Sequence, residues 1–217
     1  MLLIPLYSLS FLLLVALLGA KKRGSKIGEW FTKPTLSLAF IIVAVLQTSE
    51  WSEYHWLMVL GFVLCFLGDV FLIASSKKMF LCGLVSFLIG HLFYIGAFYQ
   101  HAHFGLPLVL IVFLLALTFA AVFKWLGEHI DGIRGPVVAY MLVISVMVLM
   151  AFAVALNNEL PMAGRVLLLG GAISFFVSDL FVIREEFMVK SFLNPLFGLP
   201  LYYGGQFALA ISLAYSG

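Results

Sequence analysis

An all-α, polytopic membrane protein is the fold class this sequence predicts, and three observations carry the prediction. Hydrophobic residues fill 64% of the 217 positions and charged residues only 10%, with a mean hydropathy of +1.17, which leaves too little polar surface to clothe a soluble domain. The apolar residues come in about eight long runs divided by short polar breaks, each run near the length a helix needs to cross an apolar layer of roughly 30 Å. The runs are continuous and lack the alternation of a membrane barrel, and in lipid the remaining solution is the helix.

Taken in order, the first span runs from Leu2 to Ala20 and stops at the basic cluster Lys21-Lys22-Arg23. It has no basic n-region and no small-residue cleavage site, so it reads as a retained helix. The second runs from Pro34, behind Lys33, to Thr48; it is short, which places Trp30, Phe31 and Trp51 at the interfaces. The third and fourth, Trp56 to Ala74 and Met79 to Tyr99, flank Lys77 and Lys78. The fifth and sixth, Phe104 to Phe123 and Pro136 to Leu156, flank Lys124 and Arg134, and the last two, Ala163 to Ile183 and Pro195 to Tyr215, flank Arg184 and Lys190. The chain is a single integral-membrane domain, 1–217.

Eleven of the twelve Lys and Arg residues fall in the odd-numbered loops, and Arg165 alone falls in an even one. By the positive-inside rule the odd loops face the cytoplasm and both termini lie on the other side. The corresponding location is the inner membrane of a bacterium or an endomembrane of a eukaryotic cell.

Against this apolar background the acids stand out. Of ten Asp and Glu residues, eight fall in polar breaks; Asp69 and Asp179 alone lie inside spans. They occur in one phrase, Phe66-Leu67-Gly68-Asp69-Val70-Phe71-Leu72-Ile73 and Phe176-Val177-Ser178-Asp179-Leu180-Phe181-Val182-Ile183. A carboxylate at membrane depth costs about 2.5–3.5 kcal/mol on insertion scales, so two of them in matched settings point to chemistry. Each also has a structural reading, as a partner for a neighbouring helix.

The phrase belongs to a fainter repeat. Phe93 to Phe98 resembles Tyr202 to Phe207, and Lys33-Pro34 is echoed by Arg134-Gly135-Pro136, with offsets of 109 and 101–102 residues beside 110 for the aspartates. The expectation is two parallel four-helix halves, 1–100 and 101–217, about an axis normal to the membrane, with the aspartates facing each other across a central cavity. Two carboxyls close together in a poorly hydrated site cannot both ionise readily; one keeps a proton and the other carries charge.

Other polar groups at membrane depth are His91 and Tyr94, three apart on one helix face, Tyr140 one turn into the sixth span, and Tyr202, Tyr203 and Gln206 on the eighth. A buried amide demands partners, and these tyrosines and aspartates are within its choice. His55, His101, His103 and His129 are expected in loops on both sides, which gives no metal site, and Cys65 and Cys82 read as small apolar residues.

The set Lys33-Pro34, Gly68-Asp69, Phe87 with Gly90-His91 and Tyr94, Tyr140, Gly171-Ala172 with Ser178-Asp179, and Tyr202 or Tyr203 with Gln206 resembles, in order and rough spacing, the YhhN family of eight-helix membrane proteins. The resemblance covers Lys33 to Gln206. Members characterised as enzymes are lysoplasmalogenases, which hydrolyse the vinyl ether of a lysoplasmalogen to a fatty aldehyde and a glycerophospho-base. The resemblance implies that Asp69 and Asp179 are catalytic, with Asp179 assigned as general acid and Asp69 as the stabilising carboxylate, although near-symmetry admits the reverse. His91, Tyr94, Tyr140, Tyr202, Tyr203 and Gln206 are then the expected substrate-binding residues. Lys33 is the candidate for the lipid phosphate, or else a charge that sets topology. The second tyrosine motif is doubled here, so either Tyr202 or Tyr203 can supply the site. The expected partners are a lysophospholipid and the bilayer, with no nucleic acid, no cofactor and no metal. A proton-coupled transporter with the aspartates as a relay is the alternative of another class. An intramembrane aspartyl protease fits less well, because Phe66 occupies the first glycine position of its Gly-x-Gly-Asp signature.

Overall fold

The computed structural model describes residues 3–48, 50–74, 76–130 and 133–216. Among these, eight helices are long and apolar enough to cross a membrane: α1 (Leu3–Arg23), α2 (Lys26–Gln47), α3 (Glu53–Phe71), α4 (Lys77–His101), α5 (Pro107–Leu126), α6 (Arg134–Ala155), α7 (Met162–Phe187) and α8 (Leu193–Ser212). The residue from which the first span was expected to begin, Leu2, lies outside the described residues.

Helix starts follow local chemistry. Ser25 and Ser76 cap α2 and α4 by accepting the N–H groups of Gly28 and Met79, each at 3.2 Å, and Pro107 opens α5 where no N–H is needed. The Ser25 cap is also why the second span departs most from expectation. The helix starts at Lys26, so Lys33 and Pro34 lie inside it, about 10 Å along its axis, and not at its mouth. Glu29, expected in a polar break, is likewise helical and buried, held by Lys21 at 2.6 Å. Among the described residues Pro34 and Pro200 are the two prolines beyond the first turn of a helix, and each lies within three residues of a candidate site residue. A proline there removes one backbone bond, which is tolerated in a bundle whose neighbours can compensate.

The most extensive pairings are α3 with α4 and α7 with α8. Every principal contact has a counterpart four helices on: α1·α2 with α5·α6, α2·α3 with α6·α7, and α2·α8 with α6·α4. In lipid such pairings rest on close packing of small residues. A Cβ on Gly90 would sit 3.2 Å from the carbonyl of Gly61, and one on Gly205 would sit 2.8 Å from the carbonyl of Gly171. Gly83 against the Gly68 carbonyl, and Gly198 against that of Ser178, repeat the correspondence one level nearer the aspartates. This corrects the register read from the sequence. The offset between α3 and α7 is 110, as expected, but that between α4 and α8 is 115 and not 109, so Phe87 corresponds to Tyr202 and His91 to Gln206. Runs of similar apolar residues can be slid by a turn and a half without losing their likeness, whereas glycine contacts cannot.

The main core is built from α2, α3, α4, α6, α7 and α8, with Leu17 from α1. Helices α1 and α5 lie outermost, and Ile4, Phe11, Leu12, Val109, Leu110 and Phe113 are exposed on them as a lipid-facing surface would be. The even loops gather at one end, where Asn157 donates to the His101 carbonyl at 3.0 Å and Ser216 meets His55 at 3.2 Å. His55 and His101 are therefore helical residues at one end of the bundle. At the other end Lys26 donates to the Ile73 carbonyl at 3.1 Å.

Candidate functional site

At the odd-loop end the bundle encloses a cavity of about 490 Å³, within the range typical of small-molecule sites. Its walls come from α1, α2, α3, α4, α6, α7 and α8, and both Asp69 and Asp179 line it, together with Lys33, Tyr140 and Tyr202. Five of the nine expected site residues thus face one space. The other four do not line it, and three of those four form a layer behind.

Asp69, in the last turn of α3, is fully engaged. Its Oδ1 lies 3.0 Å from the Lys33 ammonium, which also donates to the Asp69 carbonyl at 3.2 Å. Its Oδ2 accepts from Ser37 and from Tyr202, both at 2.7 Å. Behind these, Tyr94 donates to Gln206 Oε1 at 3.0 Å and Gln206 Nε2 donates to the Tyr202 oxygen at 3.3 Å. The chain Tyr94, Gln206, Tyr202, Asp69 runs donor to acceptor in one direction and ends on an oxygen that only accepts, the arrangement an ionised carboxylate requires. The Tyr203 hydroxyl stands 3.1 Å from Ser37 Oγ. The doubled tyrosine is thereby resolved: Tyr202 reaches the carboxylate and the cavity, while Tyr203 braces Ser37.

Lys33 was the expected phosphate ligand. Its ammonium instead has its charge met by Asp69, with side chains only 8% and 2% exposed, seven helical residues of α2 separating it from the loop. Ser37 was missed by sequence reasoning. Its signal was available, since it lies one turn beyond Lys33 and so shares its face.

Asp179, two turns before the end of α7, is held differently. Tyr140 donates to its Oδ2 at 2.5 Å, and among the described residues it has no ion pair and no second hydrogen bond. Asp179 is partly exposed to the cavity where Asp69 is buried. Two carboxyls in one phrase therefore sit in opposite surroundings: one compensated by a cation, the other by a single neutral hydroxyl.

His91 is fully buried among aromatic rings, 4.7 Å from Phe175 and 5.4 Å from Tyr140 between centroids, with neither ring nitrogen hydrogen-bonded. It packs against Tyr140 and does not line this cavity. Among the described residues no three His, Cys, Asp or Glu side chains come together as a metal site would need.

The rim is basic. Lys21 and Lys26 lie 2.6 and 3.7 Å from Glu29, whereas Lys77, the first residue of α4, and Lys190, in the seventh loop, line the cavity with no partner among the described residues. Glu185 braces the seventh loop through Asn194 and the Ser191 N–H, at 2.6 and 3.0 Å.

The fold and cavity define an eight-helix integral membrane protein with two acids lining one cavity. The chain belongs to the YhhN family, whose model matches residues 28–213, a span wider at both ends than the motifs that suggested it. Searches of curated proteins and of solved structures return no match.

Proposed function

We propose that the protein is a membrane lysoplasmalogenase, hydrolysing the vinyl ether of an alkenyl-glycerophosphocholine or -ethanolamine to a fatty aldehyde and a glycerophospho-base. The observation that carries this reading is the unequal setting of two acids on one cavity. Vinyl ether hydrolysis needs a proton donor at the β-carbon and an ionised group for the water that follows, a division of labour shared with paired-carboxylate glycosidases.

Asp179 has no cation paired with it among the described residues and is the carboxyl that holds the proton. It transfers that proton to the β-carbon of the alkenyl group, and the α-carbon becomes an oxocarbenium ion. The Asp179 carboxylate left behind lies beside the cation, with Tyr140 donating to it. Water adds to the α-carbon and its proton passes to a carboxylate, which restores the acid. Asp69, held in place by Lys33, Ser37 and Tyr202, orients that water. The hemiacetal then collapses: the C–O bond to glycerol breaks, the proton of the hemiacetal hydroxyl passes to the departing glycerol oxygen, and the aldehyde forms. Lys77 and Lys190, unpartnered at the rim, take the phosphate in place of Lys33.

Membership of the YhhN family supports the reading. The test is to incubate purified protein in detergent with lysoplasmalogen and measure fatty aldehyde, the saturated ether lipid serving as a control that cannot be protonated at carbon. Turnover in micelles, without a gradient, also separates this reading from a proton-coupled transporter. Absence of aldehyde, with proton-driven flux in sealed vesicles, would overturn it.

A further inference from the structure

Asp179 faces two spaces. Besides the polar cavity, it lines a narrow apolar cleft between α5, α6 and α7, and Tyr140 and Ile183 border both. The rest of the cleft is Phe119 and Val122 on α5, Met141, Ile144 and Ser145 on α6, and Phe176 and Leu180 on α7. Ser145 turns its hydroxyl onto the Met141 carbonyl at 2.7 Å, so the wall it presents carries no free donor. Asp179 and the Tyr140 hydroxyl, bonded to each other, are the polar groups at the seam between the two spaces.

From this geometry we propose that the cleft between α5, α6 and α7 receives the hydrocarbon chain of a single-chain lipid whose headgroup occupies the polar cavity. The occupant follows from the chemistry of the two compartments. The large cavity holds all the lysines and, Asp179 apart, all the other carboxylates of the two spaces, set among Leu, Phe and Val side chains, whereas the cleft is walled by Phe, Val, Ile, Met and Leu with Ser145, and the two meet at one acid. An amphiphile laid across them places its polar–apolar junction at Asp179, and in a lysoplasmalogen that junction is the vinyl ether. The inference rests on the proposed reaction for the bond that is cleaved, but not for where the chain lies.

The cleft as it stands holds about 10 Å³, less than a polymethylene chain needs, so entry displaces α5 outward. The packing of α5 allows it. No buried residue of α5 joins the main core; its buried Val122 and Leu126 belong to a separate small cluster with Ile130, Val137, Met141 and Ile183. Its N-terminal half, Val109 to Leu117, is largely exposed, as a lipid-facing surface would be. The chain therefore enters sideways from the bilayer, while the headgroup reaches its cavity from the odd-loop end.

The experiment compares Val122→Trp and Ser145→Phe, which fill the cleft, with the unsubstituted protein on two vinyl ethers, one with a hexadecenyl and one with a butenyl chain on the same headgroup. The expected result is a fall of at least ten-fold in kcat/KM for the long chain with the short chain unchanged within two-fold, the short chain reporting that fold and acid are intact. Equal rates on both chains, or parallel losses on both, would overturn the proposal. A second measurement is independent of turnover: a saturated ether lysolipid with a diazirine at its chain end, photolysed with the unsubstituted protein in bilayers, should label α5, α6 or α7 within the cleft. Label confined to other helices overturns the cleft as the chain site. Cleft labelling without turnover of either vinyl ether leaves the chain site standing and removes the proposed reaction.

Discussion

Replacing Lys33 by Met strips the cation from a carboxylate that is 2% exposed and leaves the Asp69 charge buried among neutral donors. Breaking a buried ion pair by removing one partner costs about 3–5 kcal/mol, because the surviving charge has no compensation. Ser37 and Tyr202 still donate to Asp69, which moderates the loss, so the expected destabilisation lies near the lower figure, about 3 kcal/mol. Asp69→Asn strands the Lys33 ammonium in the same place and should cost about as much. The double variant Lys33→Met/Asp69→Asn buries no net charge, and its stability should return to within about 1 kcal/mol of the starting protein, a coupling characteristic of residues in direct contact. Asp179→Asn breaks no ion pair, and the Tyr140 hydroxyl can still donate to the amide oxygen, so its cost should be at most about 1 kcal/mol. Unfolding of purified variants in one detergent, followed by tryptophan fluorescence, gives the four values. The reasoning is refuted if the two Asn variants are equally stable, or if the double variant loses the sum of its parts. Paired with turnover, the series separates roles, since Asp179→Asn and the double variant should both be folded and inactive.

Tyr140→Phe should leave stability nearly unchanged but, at a pH low enough that Asp179 holds its proton in both proteins, lower turnover about 10- to 100-fold, the worth of one hydrogen bond to the carboxylate formed on proton transfer, while Tyr202→Phe should cost less because Lys33 and Ser37 still hold Asp69; steady-state aldehyde release checks both. Reporters after Gly217, a residue outside those described, and near Glu159 should both register the non-cytoplasmic side, since the odd loops carry the basic residues; a cytoplasmic C-terminus would contradict eight crossings.

The number of helices and the two aspartates were legible because their signals are large: some twenty apolar residues per span, and a carboxylate where lipid tolerates few. The start of α2 was not, because Lys33 and Glu29 look like loop residues until the bundle supplies each with a counter-charge. The same fact hid the role of Lys33. A lysine near a basic loop resembles a phosphate ligand, and only the depth set by the Ser25 cap turns it toward Asp69. Tyr94, Tyr203 and Gln206 were recognisable as polar groups needing partners, but which of them faces a cavity depends on helix rotation. Tyr202 and Tyr203 are neighbours in sequence, about 100° apart on α8, and that angle separates a cavity wall from a brace.

The inequality of the two acids can be followed through the matched contacts of the α3·α4 and α7·α8 pairs. With α4 and α8 in the register set by their glycine contacts, Phe87 stands to the second half as Tyr202 stands to the first. Tyr202 crosses to Asp69 with its hydroxyl; Phe87 lines the same cavity, packs edge-on against Tyr202 at 5.9 Å between centroids, and has no hydroxyl to offer Asp179. A scaffold that treats both carboxyls alike is thus made unequal by one missing oxygen here and one lysine on α2. Phe87→Tyr restores the oxygen. Its hydroxyl, entering the cavity beside Asp179, should favour the ionised form of the acid and lower turnover at neutral pH by roughly ten-fold or more, the effect of one added hydrogen bond to a carboxylate. The loss should be recovered as the pH is lowered, because more of the Asp179 carboxyl is then protonated. A Phe87→Tyr protein whose pH profile coincides with that of the unsubstituted enzyme would show that Asp179 does not owe its proton to the absence of that hydroxyl.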